Sequence, residues 1–448
     1  MRLLRSGAVS TRTRAAFPNR IDTGEGGVAA SRRAVAAERC VTPAPAGRTF
    51  FVFDYLIVGG GRAGISAVEG IRELDASGSI LMIAAESHLP YDRPPLSKQL
   101  WTGKNEISDI FVHDRAYFQR AGVELASSER VGEIDPAART ILTERGRSES
   151  YGKLLIATGG TPKRLRIPGA ELEDVFYYRT LDDYVELSRD PQGKSILVVG
   201  GGFIGAEIAA ALSMHEAHVT MIFPGRLMLE RIFPEALARS IQDQYERRGI
   251  HILSEDIPIS FAPRGGWLGV ETREGEHLAC DSIVVGAGIA PEVGLASSAG
   301  LEVDDGIRVN ELLESSVSGI FAAGDNANFP YAALGKRMRV EHWDNAIAQG
   351  KAAGRNMAGA SEPYEYMPYF FSDLFDFGYE AVGDVSSSLE TYADWQNENE
   401  TGVVYYLEDE RVRGVMLCNI WGKLDEARAL IRSGAHVNQR DLHGAVHA

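Results

Sequence analysis

The chain has 448 residues, too many for one hydrophobic core, so two or three domains are expected. With 44% hydrophobic and 24% charged residues it has the composition of a globular protein. No uncharged apolar run of about eighteen residues is present, which excludes a membrane-spanning helix. The 46 Lys and Arg against 62 Asp and Glu leave a net charge of -16, which repels phosphate backbones and argues against nucleic acid as a partner.

Residues 1–50 carry nine arginines, no lysine and only Asp22, Glu25 and Glu38 as acids. They read as a disordered or targeting extension: the protein is expected in the cytoplasm, or in mitochondria if this stretch is a transit peptide. The three cysteines, Cys40, Cys280 and Cys418, are far apart, form no CxxC pair and fit a reducing compartment. No histidine pairing suggests a metal site, and His436, His443 and His447 are expected to be solvated.

The folded part opens with an apolar strand pattern over 50–58, then Gly59-Gly60-Gly61-Arg62-Ala63-Gly64, helical spacing over 65–74 and a second apolar run over 80–84 before Glu86. The order recurs. Residues 195–199 read as a strand, Gly200-Gly201-Gly202-Phe203-Ile204-Gly205 as the turn, 206–214 as a helix and 218–223 as the next strand. In each copy the first glycine permits a tight turn, the second lets the backbone approach a pyrophosphate, and the third lets the helix pack on the strand, with its N-terminus toward the phosphates. Two copies imply two dinucleotides and an α/β fold class with two Rossmann-like folds. Glu86, at the end of the first unit's second strand, has the position of an acid that accepts from ribose hydroxyls, a solvated carboxylate being the alternative. Further on, Leu154 to Gly159 and Gly319 to Asp325 are short apolar strands ending in glycine turns, the latter delivering one carboxylate.

These turns, in this order, resemble the pyridine nucleotide flavoprotein reductases. Pro90-Tyr91-Asp92-Arg93-Pro94-Pro95-Leu96-Ser97-Lys98, Val340-Glu341-His342-Trp343-Asp344-Asn345-Ala346 and Pro368-Tyr369-Phe370-Phe371-Ser372-Asp373 resemble the ferredoxin reductase and apoptosis-inducing factor branch. The likeness spans roughly residues 52–432. It implies FAD in the first fold, with Gly59, Gly61 and Gly64 at the pyrophosphate, Glu86 at the adenosine ribose and Asp325 at the ribityl chain. Arg93, Lys98, Ala157, Thr158, Gly159, Gly324, Glu341 and His342 would border the same cofactor. Trp343 and Phe371, the latter where relatives commonly carry Trp, are expected beside the flavin, with core packing as the alternative. The helix expected over 346–357 would aim about half a positive charge at the flavin's pyrimidine edge.

NADH or NADPH would lie on Gly200, Gly202 and Gly205, with Gly288 in the turn leading back to the first fold. Glu207, expected in the first helical turn, would pair with Lys98 at the catalytic centre; a helix-dipole acid and a surface lysine are the plainer readings. The family's NADH-binding members often place an acid where this chain has Phe223, which leaves NADH or NADPH open, and the turn's resemblance to that of apoptosis-inducing factor leans toward NADH. Arg226 is read as a lone exposed arginine or a 2′-phosphate ligand.

The domains implied are 51–168 with 290–362 for FAD, 169–289 for NAD(P)H, and a small α+β C-terminal interface domain over 363–448. The expected activity is hydride transfer from NAD(P)H to FAD, then electron transfer to an iron-sulfur acceptor protein of ferredoxin or Rieske type. A redox-controlled scaffold, with self-association as a homodimer, and a quinone or dehydroascorbate reductase are the alternatives. No cysteine pair follows Glu86, so thiol-disulfide chemistry is excluded.

Overall fold

The apolar run that opens the folded part becomes the middle of a parallel sheet in the computed structural model, which describes residues 52–446. The arginine-rich stretch, Cys40 and His447 lie outside the described residues. Strand Val52–Val58 is flanked by Ile80–Ile83 on one side and Ser148–Ile156 on the other, with Val123–Ala126 beyond the first and Ile320–Ala322 beyond the second. Leu56, Ile57, Leu81, Met82, Leu154, Leu155 and Ile156 are fully buried. Such continuous apolar strands are what a sheet covered on both faces requires, each side chain contributing roughly 1.5–3 kcal/mol.

Helix Arg62–Leu74 covers one face and packs on Trp343–Met357. Backbones touch there because Gly350 and Gly354 leave room: a Cβ on either would lie 2.2 and 2.1 Å from the carbonyl oxygens of Ala63 and Ala67. The second parallel sheet runs His251–Ser254, His218–Phe223, Ser195–Val199, Ser282–Val285, Val175–Phe176, with helix Phe203–Met214 after its glycine turn. Strand Ile289–Pro291 pairs with Gly160–Pro162 and carries the chain back toward the first sheet. The C-terminal part is a five-stranded antiparallel sheet from Tyr369–Leu374 to Arg411–Cys418, covered by helix Leu424–Ser433.

Three helices begin about one turn before their apolar periodicity does. They start at Arg62, Phe203 and Trp343 instead of 65, 206 and 346. In the first two the extended glycines Gly61 and Gly202 are the N-caps, so helical backbone starts at the very next residue. The reading also passed over the three-stranded sheet Pro258–Pro263, Leu268–Thr272, His277–Cys280, whose outer positions are too polar to mark strands. The tail histidines are exposed, but not merely solvated: His443 sits 2.8 Å from Asp394 and His436 3.6 Å from Glu410.

Candidate active site

The two glycine turns have nearly the same geometry. Gly59 and Gly200 have φ of +126° and +128°, which favours glycine, and their amides donate to Ile83 and Ile222 at 2.9 Å. A Cβ on Gly64 would lie 2.1 Å from the Gly59 carbonyl oxygen, and one on Gly205 2.0 Å from that of Gly200, so each helix rests on its own turn. Gly61 and Gly202 face open space.

The first turn lines a cavity of about 840 Å³. Gly59, Gly61, Glu86, Arg93, Lys98, Ala157, Thr158, Gly159, Glu207, Gly324, Asp325, Glu341, His342, Trp343 and Phe371 all border it, from among the residues singled out in the sequence. Gly64 is buried beneath the turn, and Gly200, Gly202, Gly205 and Gly288 do not border the cavity. Neither Cys280 nor Cys418 does; both are buried, and burial pushes the Cys280 thiol up to about 12.

Charge in the cavity is paired. Glu86 accepts from Arg93 and the Tyr91 hydroxyl, both at 2.6 Å. Burial is the largest influence and works to raise its carboxyl, but the Arg93 charge and the hydrogen bonds from Tyr91 and Arg93 together hold it below the usual range. Asp325 accepts from Arg179 at 2.7 Å, and Glu341, raised by burial, pairs with Arg339. The Trp343 indole donates to Asp92 at 2.5 Å. Burial pushes His342 down to about 4, so it is neutral at neutral pH.

Lys98 and Glu207 meet. The lysine Nζ lies 2.7 Å from Glu207 Oε1, their side chains 8% and 4% exposed, so Lys98 is no surface lysine. Glu207 is the fifth residue of a helix whose first turn holds no acid, which removes the dipole explanation. Its carboxylate also accepts from the Ser97 and Ser372 hydroxyls at 2.5 Å each, so three segments converge on it: the Pro94–Lys98 stretch, the second fold and the C-terminal sheet. The Phe371 ring lies 5.2 Å from Lys98 Nζ, and Phe370 joins Phe203 and His342 at centroid distances of 5.5 and 4.4 Å.

Whether these residues suit FAD is tested by what they leave unsatisfied. Arg62 Nε and one of its terminal nitrogens, Arg179 Nε and His342 Nδ1 are buried without a hydrogen-bond partner, and all three residues line the cavity. Buried polar nitrogens of this kind need hydrogen-bond partners. A diphosphate and a polyhydroxyl chain supply them, and the open side of Gly61 admits the former. The residues fit the cofactor.

Comparison with known proteins settles the family. Residues 53–350 match pyridine nucleotide-disulphide oxidoreductases, and residues 353–401 match the C-terminal, mitochondrion-associated region of apoptosis-inducing factor. The chain belongs to the pyridine nucleotide-disulphide oxidoreductase family. It is an oxidoreductase that uses FAD and NAD(P)H. It is 33% identical to mitochondrial apoptosis-inducing factor 1 of Dictyostelium discoideum, covering 88% of this chain and 81% of that one. It is also 33% identical to the ferredoxin-NAD(+) reductase component of the Burkholderia cepacia anthranilate 1,2-dioxygenase system, covering 87% and 96%. Among solved structures it is similar to the ferredoxin reductase for the CYP199A2 system of Rhodopseudomonas palustris (TM-score 0.81, 30% identity, 87% and 96% covered). Putidaredoxin reductase, in its covalent complex with putidaredoxin, matches with TM-score 0.82, 26% identity and 88% and 96% coverage. Among the described residues no helix is long and apolar enough to cross a membrane, and no cluster could hold a metal.

The structure adds Arg179, Ser97 and Ser372, to which the sequence assigned no role. Arg179 follows the buried Tyr177 and Tyr178 and directly precedes the Thr180 helix cap, a place where a cation is unexpected unless it faces an anion. Both serines stand in the motifs that carry the resemblance, but nothing there singles them out, because their significance is their shared partner Glu207. Phe223 is buried with its ring against Gly201. Arg226 is exposed but not alone, lying 2.8 Å from Glu235.

Proposed function

We propose that the chain takes a hydride from NADH or NADPH onto FAD and passes electrons to a separate ferredoxin or Rieske-type iron-sulfur protein. The observation that carries this reading is the buried Lys98–Glu207 pair, which joins a residue beside the first fold to the helix of the second at the cavity wall. We assign residues 51–168 with 290–362 to FAD, 169–289 to the nicotinamide nucleotide and 363–448 to an interface domain. Bound in the cavity, FAD supplies a hydride acceptor and a one-electron donor. The first turn's amides and helix N-terminus hold its diphosphate, Glu86 and Asp325 accept from its sugar hydroxyls, and Arg93 and Glu341 border it. Glu207, fixed by Ser97 and Ser372, keeps the Lys98 ammonium at the cavity wall, where it would favour an anionic reduced cofactor, while Trp343 and Phe371 would exclude water.

The experiment is anaerobic stopped-flow reduction by NADH and NADPH, then mixing with a two-iron ferredoxin, a quinone or dehydroascorbate. Fast reoxidation by the ferredoxin, slowing with salt because basic residues near the flavin steer an acidic partner, is the expected outcome. A ferredoxin that fails to reoxidise the flavin contradicts it. The match to the apoptosis-inducing factor C-terminal region favours a second reading, a redox-controlled scaffold. That reading predicts a long-lived reduced complex and an NADH-dependent change of mass toward a homodimer in light scattering. For location, residues 1–50 fused to a fluorescent reporter leave it in the cytoplasm on the reading we adopt, and carry it into mitochondria if they are a transit peptide.

A further inference from the structure

The two dinucleotide folds can be aligned on their own hydrogen bonds. The amides of Gly59 and Gly200 donate to Ile83 and Ile222, both at 2.9 Å. The next strand closes each crevice in the same way: Ser128 donates to the Glu86 carbonyl at 3.0 Å, Glu255 to that of Gly225 at 2.9 Å, and both donors have positive φ, 56° and 61°. The counterpart of Glu86 is therefore Gly225, and the second fold has no side chain where the first has its carboxylate.

That place is filled from elsewhere. A Cβ on Gly225 would lie 2.3 Å from Glu230 Oε1. The intervening loop turns back on the glycine turn, Leu229 donating to the Gly201 carbonyl at 2.8 Å with φ +56°. Glu230 Oε2 accepts from the amides of Arg226 and Leu227 at 2.9 and 3.1 Å, which leaves Oε1 without a partner among the described residues. The two loop amides, donors a phosphate would need, thus hold a carboxylate. The nearby Arg226 guanidinium is drawn to Glu235 at 2.8 Å.

We propose that Glu230 is the carboxylate that receives the adenosine ribose hydroxyls of the nicotinamide nucleotide, and that it makes the enzyme select NADH over NADPH. A carboxylate accepts two hydroxyls and repels a 2′-phosphate. The proposal rests on the reading above that the second fold holds the nicotinamide nucleotide.

The test is calorimetric binding of ADP-ribose and 2′-phospho-ADP-ribose to the FAD-loaded protein, independent of any electron transfer. Wild type is expected to prefer ADP-ribose by more than about tenfold, and Glu230→Gln, which retains an acceptor for the loop amides, to narrow that ratio by about tenfold. Gly225→Glu combined with Glu230→Ala moves the carboxylate onto the strand end and should restore the preference, which keeps the test sound if the single variant folds poorly. Equal affinities in wild type, a preference for the phosphorylated ligand, or a ratio unchanged in Glu230→Gln would overturn the proposal alone. Binding of neither ligand would overturn it together with the assignment of the second fold.

Discussion

The two glycine turns differ in almost nothing, and the surroundings they serve differ in almost everything. Each has a first glycine at positive φ, a middle glycine facing open space and a third glycine against the first one's carbonyl. The first turn's glycines open into the cavity with Glu86 at its strand end, whereas the second turn reaches that cavity only through Phe203 and Ile204 and has Gly225 at the matching place with Glu230 against it. The two turns thus share one backbone geometry, and on our proposal the carboxylate near the strand end decides which nucleotide is read. Two ion pairs cross between the folds: Glu207 of the second holds Lys98 at the wall of the first's cavity, and Arg179 of the second holds Asp325 of the first.

Breaking the Lys98–Glu207 pair should have the largest effect. Glu207→Ala leaves the Lys98 ammonium buried and unpaired, and chemical unfolding should record a loss of about 3–5 kcal/mol. Stopped-flow reduction should slow while FAD content per folded chain stays near wild type; an unchanged rate removes Glu207 from the mechanism. Next come the third glycines. Gly64→Ala and Gly205→Ala each force a methyl group onto a carbonyl and should cost about 1–3 kcal/mol in unfolding experiments. The comparison is sharpened by what each loses, FAD content in the first variant and nicotinamide nucleotide affinity in the second. A common loss of FAD in both variants would contradict separate ligands for the two folds.

Ser372→Ala should be milder, about 1 kcal/mol, because Glu207 keeps Ser97 and Lys98 as partners. Its informative readout is reduction: a slower hydride transfer with unchanged NADH affinity marks Ser372 as positioning Glu207, and an unchanged rate reduces it to packing. Smallest of all is Arg226→Ala, which removes an exposed ion pair and should leave the melting temperature unchanged in a thermal scan. A measurable drop would mean that Arg226 holds the loop that carries Glu230.

Much of the parallel-sheet architecture was legible because it is written in local signals. Apolar runs such as 195–199 and 218–223 have the residues of the observed strands, and glycines at fixed spacing mark the turns between strand and helix. The cavity's cations and carboxylates could be singled out from motif position, and Lys98 with Glu207 could be paired across the chain. Arg179, Ser97 and Ser372 could not, because each matters through a partner more than eighty residues away or through a carboxylate shared with another segment. Glu230 was out of reach for a related reason: the backbone bonds of the neighbouring strand align Gly225 with Glu86, and only folding brings Glu230 beside it.

The central claim, that one chain holds FAD in its first fold and delivers nicotinamide reducing equivalents to it from the second, is tested most directly by an anaerobic titration of the purified protein with NADH. The account predicts a yellow protein with one noncovalent FAD per chain, released to the supernatant by acid and bleached by a single equivalent of NADH. A protein that takes up no FAD, or whose bound flavin stays oxidised under excess NADH and NADPH, would contradict it.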